Sequence, residues 1–218
     1  MKSRVVPICY LCRKRPGITS DHVPPKNLFP RPRPSNLVTV PCCKECNNRF
    51  SKHDEYFRLF ASCCVNRSSE GHAIWQQRVV PSTLSKRRIG KLIDEASRRV
   101  KEAWLVTPGG QRIPVGQFQA RARPIRAVLL KTIKGLLYYR DPNLDTRSLS
   151  FEITQMDQFK FIILLPTLTK LRRMEFGSGV FEFWWGIDAN NPPHGLWYFR
   201  MYQSAAFLVM HRPRVKAG

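Results

Sequence analysis

Two cysteine pairs near the start of the chain have the spacing of a structural zinc site. Cys9 and Cys12 form one Cys-x-x-Cys pair, and Cys43 and Cys46 form a second pair after 30 intervening residues. Each short turn sets two thiolates on one side of a metal, and four thiolates complete the tetrahedral shell of structural zinc. Cys42 is an alternative to Cys43 in a slightly longer turn. The sequence therefore predicts one Zn²⁺ bound by Cys9, Cys12, Cys43 and Cys46, and a small fold held by that metal rather than by a core.

The segment between the pairs carries Asp21 and His22 side by side. A neutral imidazole can take a proton from water near pH 7, and a hard ion such as Mg²⁺ takes oxygen ligands such as a carboxylate. Taken alone, an Asp-His pair is weak evidence, because most such pairs are surface ion pairs or helix caps. Asn36 and Asn47 lie close by in the sequence. Phosphodiester hydrolysis needs an activated water and a cation to neutralise charge, and a histidine beside a carboxylate is suited to both.

Residues 9–60 resemble the HNH endonuclease family in its zinc-ribbon form. The matching elements, in chain order, are Asp21-His22-Val23 with Pro24 and Pro25, then Asn36-Leu37, then Cys43-Lys44-Glu45-Cys46-Asn47. The chain departs from the family pattern where FPRPRPS replaces a glycine-rich stretch. A second metal ligand has several candidates, of which the first follows the motif most closely: Asn47, Asn48, His53 and Asp54.

The resemblance implies a ββα-metal fold, with two short strands and a helix around one catalytic Mg²⁺ or Mn²⁺ ion. Carried over residue by residue, it implies that Asp21 and Asn47 bind the ion and that His22 is the general base. It also implies that Asn36 braces the loop that orients His22. The expected function is a metal-dependent endonuclease that hydrolyses phosphodiester bonds in DNA. The alternative is a non-catalytic zinc-ribbon protein that binds nucleic acid, in which the Asp-His pair is incidental.

These residues must be positioned by helices and strands, and the sequence predicts an α+β chain in three regions. These are a zinc-bound HNH module (1–62), a basic helical region (63–140) and an aromatic-rich β region of unknown role (141–218). Apolar spacing predicts a helix that starts near Asn47 or Asn48, a second across 82–106 and a third across 124–140. The segments FKFIILL, GVFEFWWGI and LWYFRMYQSAAFLVM predict strands of a small antiparallel sheet.

Positive charge dominates the composition and favours a polyanionic partner. The chain has 37 Lys and Arg against 15 Asp and Glu, a net charge of +22. Residues 1–140 hold 28 of these basic residues and 8 of the acids, so nearly all the excess lies there. Lys131 and Lys134 continue this excess. The residues expected to contact phosphates are Lys86, Arg87, Arg88, Arg98, Arg99, Arg121 and Arg123.

The expected partner is DNA, while RNA stays open as a substrate and a homodimer stays open as the assembly. Apolar runs such as residues 161–165 are far shorter than the roughly 20 residues that cross a bilayer, so no membrane partner is expected. Seven cysteines, with adjacent pairs at 42–43 and 63–64, fit a disulfide framework poorly. Metal-bound thiolates in a reducing, cytoplasmic setting are the better interpretation.

Overall fold

The chain folds into a mixed α+β structure with small antiparallel sheets, as predicted. A computed structural model describes residues 6–64, 68–83, 88–107, 109–188, 190–191 and 193–215. Its helices are α1 (Lys44–Cys63), α2 (Ser69–Ile74), α3 (Val80–Thr83), α4 (Arg88–Ser97), α5 (Ala122–Arg140) and α6 (Gln158–Leu168), with a π-helical turn (Trp75–Val79) between α2 and α3. Its strands are β1 (Thr19–His22), β2 (Thr39–Cys42), β3 (Val100–Val106), β4 (Arg112–Phe118), β5 (Leu149–Met156), β6 (Arg172–Phe176), β7 (Phe181–Ile187), β8 (Gly195–Met201) and β9 (Ala205–Pro213). Two 3₁₀ turns span Lys26–Leu28 and Thr146–Ser148.

A β-hairpin and a long helix form the N-terminal segment. Strands β1 and β2 pair antiparallel, with Asp21 opposite Val40. Helix α1 follows at once and begins at Lys44, three residues before the predicted start at Asn47. The second cysteine pair therefore lies across the junction of β2 and α1, where a bound metal would fix the angle between hairpin and helix.

The helix predicted across 82–106 is wrong beyond residue 97. Helix α4 ends at Ser97, and Val100–Val106 pairs as β3 with β4 around the turn at Thr107–Gln111. Along β3 the partly buried Ala103 and Leu105 alternate with exposed neighbours, which is the period of a strand. The apolar residues of this segment are also spaced as in a helix. Pairing with β4 selects the strand over the helix.

The strand predicted for FKFIILL is also wrong, because these residues belong to α6. Asp157 caps that helix by accepting a hydrogen bond from the Lys160 backbone N–H at 2.8 Å. One side of α6, with Phe161, Leu164 and Leu168, packs against the sheet. No described helix combines the length and the apolar character needed to cross a membrane.

The five-stranded sheet has the order β5-β9-β8-β7-β6 and is antiparallel throughout. Its aromatic side chains mostly pack inside, and Trp197 and Phe199 are fully buried. One continuous core contains side chains from the hairpin, α1, α5 and this sheet. The predicted region boundaries at 62/63 and 140/141 stay predictions.

Helix α5 confirms the predicted helix over 124–140 and lies close against the N-terminal segment. A Cβ at Gly135 would come within 2.4 Å of the Val23 side chain, so only glycine allows this approach. Val23 directly follows His22. Helix α5 therefore packs against the residue that follows the strand carrying the Asp-His pair.

Candidate functional site

The four predicted cysteines meet in one cluster. The Sγ atoms of Cys9, Cys12, Cys43 and Cys46 all lie within 4.8 Å of one another. A tetrahedral zinc ion with Zn–S bonds of about 2.3 Å needs sulfur atoms roughly 3.8 Å apart, so this donor set fits zinc. Cys43 belongs to the cluster, whereas its neighbour Cys42 does not, although the Cys42 Sγ lies 4.0 Å from the Cys9 Sγ.

The surroundings of these thiols favour a metal-bound thiolate at the first pair. Burial opposes ionisation of Cys12, but hydrogen bonds from the backbone of Lys14 and Arg15 lower its pKa to about 6. The Arg15 guanidinium also lies 3.9 Å from the Cys43 Sγ. Burial raises the pKa of Cys46, so that thiol needs the metal's charge to become a ligand.

A cavity of about 280 Å³ lies between the hairpin and α1. Both members of the Asp-His pair line it, together with Asn47. The other lining residues are Ser20, Pro25, Lys26, Asn27, Ser51, Asp54, Glu55 and Arg58. The cavity therefore gathers carboxylates, amides, an imidazole and two cations in one place.

Helix α1 supplies one wall of this cavity through a polar face that the sequence analysis did not use. Its lining residues recur at helical spacing along one side: Asn47, Ser51, Asp54, Glu55 and Arg58. Residues 4, 7, 8 and 11 positions after Asn47 lie on the same face of a helix. This polar stripe was a readable signal for additional site residues.

His22 is partly buried at the end of β1 and lines the cavity. Partial burial, and next the positive charge of Lys26, lower its pKa below the ordinary value, while Asp21 opposes this shift. Arg33 acts in the same direction as Lys26 and donates a hydrogen bond to the Lys26 carbonyl at 3.1 Å. This shift favours the neutral imidazole, which is the form that accepts a proton.

Asp21 is buried behind His22 and both of its oxygens accept hydrogen bonds. Oδ2 accepts from the Tyr10 hydroxyl at 2.7 Å, and Oδ1 accepts from the Lys131 ammonium at 3.2 Å. Lys131 also donates to Asp54 Oδ2 at 2.8 Å. Its side chain has 0 % exposure, which corrects the expectation that Lys131 belongs to the basic surface.

The structure places the predicted site residue Asn47 in the cavity lining and the predicted site residue Asn36 outside it. Asn47 lines the cavity, and its Nδ2 donates to Thr19 Oγ1 at 3.3 Å, which ties α1 to β1. Asn36 lies exposed in a turn before β2 and outside the cavity lining. Of the alternative ligands, Asn48 and His53 lie outside the lining as well, whereas Asp54 lies within it.

The five-stranded sheet packs against the loop after β1, whose residues Pro25, Lys26 and Asn27 line the cavity. The Tyr202 hydroxyl, in the turn between β8 and β9, donates to the Leu28 carbonyl at 2.6 Å and is fully buried. Gly177, before β7, also lies against Phe29 and Pro34, since a Cβ there would come within 3.0 Å of both side chains. The C-terminal region thus holds the 3₁₀ turn that carries Lys26 and Asn27.

The arginines expected to contact phosphates are partly engaged in ion pairs. Arg98 pairs with Asp94 at 2.7 Å, Arg99 pairs with Glu95 at 3.2 Å, and Arg121 also pairs with Glu95. Exposed pairs of this kind contribute at most about 1 kcal/mol and open easily for a phosphate. Arg123 is exposed at the start of α5. Lys86 and Arg87 lie outside the described residues, as does the side chain of Arg88.

The prediction that the chain binds DNA implies an affinity that depends steeply on salt, because the basic excess of residues 1–140 would displace condensed counterions. Log affinity should fall linearly with log salt concentration, with a slope of about −0.9 for each phosphate neutralised. Replacing Arg98, Arg99 and Arg123 with glutamine should make this slope shallower and weaken binding to all sequences alike. Fluorescence anisotropy with a labelled duplex across a salt series measures both quantities.

The matched control neutralises three exposed basic residues of the C-terminal region, Lys170, Arg172 and Arg212. This triple variant should keep the wild-type slope. Equal losses in both triple variants would show that the binding surface is not confined to residues 1–140.

A larger cavity of about 610 Å³ lies at one end of the five-stranded sheet. Its lining includes His211, Phe151, Leu171, Leu196 and Met210, and none of the predicted site residues. The smaller cavity is the candidate site because its lining contains Asp21, His22 and Asn47, three of the site residues predicted from the sequence.

Comparisons of this chain with protein-family models, with curated proteins and with solved structures find no match. The functional assignment therefore depends on the residues and geometry of the chain itself.

Proposed function

We propose that this chain is an endonuclease that hydrolyses phosphodiester bonds in DNA, with His22 accepting the proton of the attacking water. The observation that carries the proposal is the position of His22 in the cavity between the hairpin and α1. The imidazole shares that cavity with Asp21, Asn47 and Asp54 and with the basic side chain of Lys26.

The chain's own residues suggest a division of work around a bound phosphodiester. Lys26 and Arg33 would attract the phosphate, since both are exposed and both act electrostatically on His22. A neutral His22 would then take a proton from water, a step that general bases accelerate by about 10²–10⁴-fold. The zinc cluster would hold the hairpin and α1, and so the two walls of the cavity, at a fixed distance.

The resemblance also implies a Mg²⁺ or Mn²⁺ ion, which would neutralise charge that develops on the phosphate. Asp21 and Asn47 as its ligands stay a prediction. As the side chains stand, an ion at Asp21 does not fit, because the Lys131 ammonium already lies 3.2 Å from Asp21 Oδ1 and would repel it. No step of the proposed reaction is therefore assigned to that ion.

The second candidate is a zinc-ribbon protein that binds nucleic acid without cutting it. A four-cysteine cluster and a large basic excess would serve that function equally well. Within the part of the chain that the structure describes, no residue is seen to hydrogen-bond to the His22 ring, whereas a general base is usually oriented by another group.

Plasmid nicking separates the two functions. The zinc-loaded protein should convert supercoiled plasmid to open circles in Mg²⁺ or Mn²⁺ and should stop in EDTA. Because EDTA also removes zinc, one sample receives Zn²⁺ alone after chelation, and it should stay inactive until Mg²⁺ is added. Binding without nicking under every ion condition would leave the non-catalytic protein. A single-stranded RNA, tested in parallel with the plasmid, shows whether cleavage is confined to DNA.

A cytoplasmic setting belongs to the proposal as well. A reducing compartment keeps the thiols available for zinc, and the seven cysteines include no disulfide among the described residues.

A further inference from the structure

The Lys131 ammonium lies beside Asp21, the residue that the resemblance implies binds a divalent ion. The ammonium lies 3.2 Å from Asp21 Oδ1 and 2.8 Å from Asp54 Oδ2. The Lys131 side chain has 0 % exposure, and the Asp21 side chain has 7 %. A buried lysine is rare unless it is paired, and here it pairs with two carboxylates at once.

The packing of α5 holds the ammonium in this place. Gly135, one turn after Lys131, lets the helix approach Val23 so closely that a Cβ would clash with that side chain. Val23 is two residues from Asp21. The distance from the α5 backbone to the strand that carries Asp21 is therefore set by close contact, and the Lys131 side chain has little room to withdraw.

A divalent ion at Asp21 would meet this ammonium at short range. An ion bonded to Asp21 Oδ1 at about 2.1 Å would share that oxygen with a unit positive charge 3.2 Å away. In a buried setting two like charges so close repel strongly, because little water screens them. The Tyr10 hydroxyl already donates to the other oxygen of Asp21.

We propose that Lys131 is the resident cation of this site and keeps divalent ions off Asp21. Asp21 then positions β1, and with it His22, by accepting from Tyr10 and Lys131 instead of binding an ion. A divalent ion needed for cleavage would take its ligands from elsewhere in the cavity, where Asn27 Oδ1 accepts no hydrogen bond from any described residue.

The inference concerns the site of the proposed function, but its test uses no cleavage. Electron paramagnetic resonance of free Mn²⁺ measures Mn²⁺ binding to the zinc-loaded full chain. Five proteins are compared: wild type, Lys131→Met, Asp21→Asn, the double variant of these two substitutions, and Lys131→Arg. A chain that never cuts DNA can still confirm or overturn the role of Lys131 in this measurement.

Two results are expected. Asp21→Asn should bind Mn²⁺ as the wild type does, because the wild type does not use Asp21 for the ion. Lys131→Met should bind one Mn²⁺ at least about tenfold more tightly, since two carboxylates lose their counter-charge. The double variant should lose this gain, and Lys131→Arg, which keeps the charge, should resemble the wild type.

Two other results would overturn the proposal. One is a wild type whose Mn²⁺ binding disappears in Asp21→Asn, and the other is a folded Lys131→Met with wild-type affinity. Losing the ammonium leaves buried carboxylates unpaired, so Lys131→Met is checked by circular dichroism and zinc content. If it does not fold, the comparison of wild type with Asp21→Asn decides alone.

Discussion

Replacing His22 with alanine is expected to reduce DNA cleavage by about 10²–10⁴-fold, the range for loss of a general base. His22 is only partly buried and lies at the end of β1, so its removal should leave the zinc cluster and the hairpin in place. DNA affinity should stay nearly unchanged, because phosphate contacts come from the basic side chains. Single-turnover cleavage and anisotropy on the same preparation measure the two effects separately.

His53→Ala is the matched control for this substitution. His53 is also a partly buried histidine of the same segment, and its pKa is likewise lowered by burial first and then by Arg123. It lies outside the cavity lining, so its removal should leave cleavage nearly unchanged. Wild-type cleavage by a folded, zinc-loaded His22→Ala protein would refute the proposed role of His22.

Replacing Cys43 with serine is expected to remove zinc and unfold the N-terminal segment. Structural zinc in small zinc-finger peptides contributes about 10–16 kcal/mol of apparent binding free energy, which is comparable to the roughly 5–15 kcal/mol stability of a typical domain. This cluster joins the turn at residues 9–12 to the start of α1. Elemental analysis should show less than one zinc per chain, and thermal unfolding should begin at a lower temperature.

The neighbouring Cys42→Ser substitution is the sharpest control. Cys42 is buried and lies within 4.0 Å of Cys9, yet it is not a member of the cluster. Zinc content should therefore stay at one per chain in Cys42→Ser. A stoichiometric zinc in Cys43→Ser together with its loss in Cys42→Ser would reverse the ligand assignment and favour the longer turn.

Local spacing was sufficient to predict the four-cysteine cluster and the extent of α5 to within two residues. Two residues between cysteines define a turn of a few residues, and the chain needs no distant partner to form it. Pro124 in the first turn and Asp141-Pro142 at the end act on the same short range. Predictions of this kind hold because the interactions that decide them lie within one or two turns of the chain.

Strand and helix assignments failed where distant partners decide. Residues 100–106 fit a helical stripe, but their pairing with β4 selects the extended form. Residues 159–165 are β-prone in composition, but the Asp157 cap and the sheet face beneath them select a helix. The local preferences of these segments for helix and for strand differ little in free energy, so tertiary contacts decide which of the two forms.

The role of Lys131 shows most clearly what only the tertiary structure decided. In the sequence it is one of many basic residues in a region of high positive charge, and lysine is almost always exposed. Its partner Asp21 is 110 positions away in the chain. Only the packing of α5 against the hairpin, made possible by Gly135, brings the ammonium between the two carboxylates. The sequence by itself determined which four cysteines form the cluster, whereas the cation beside the Asp-His pair depends on a contact between a helix and a hairpin that no local pattern encodes.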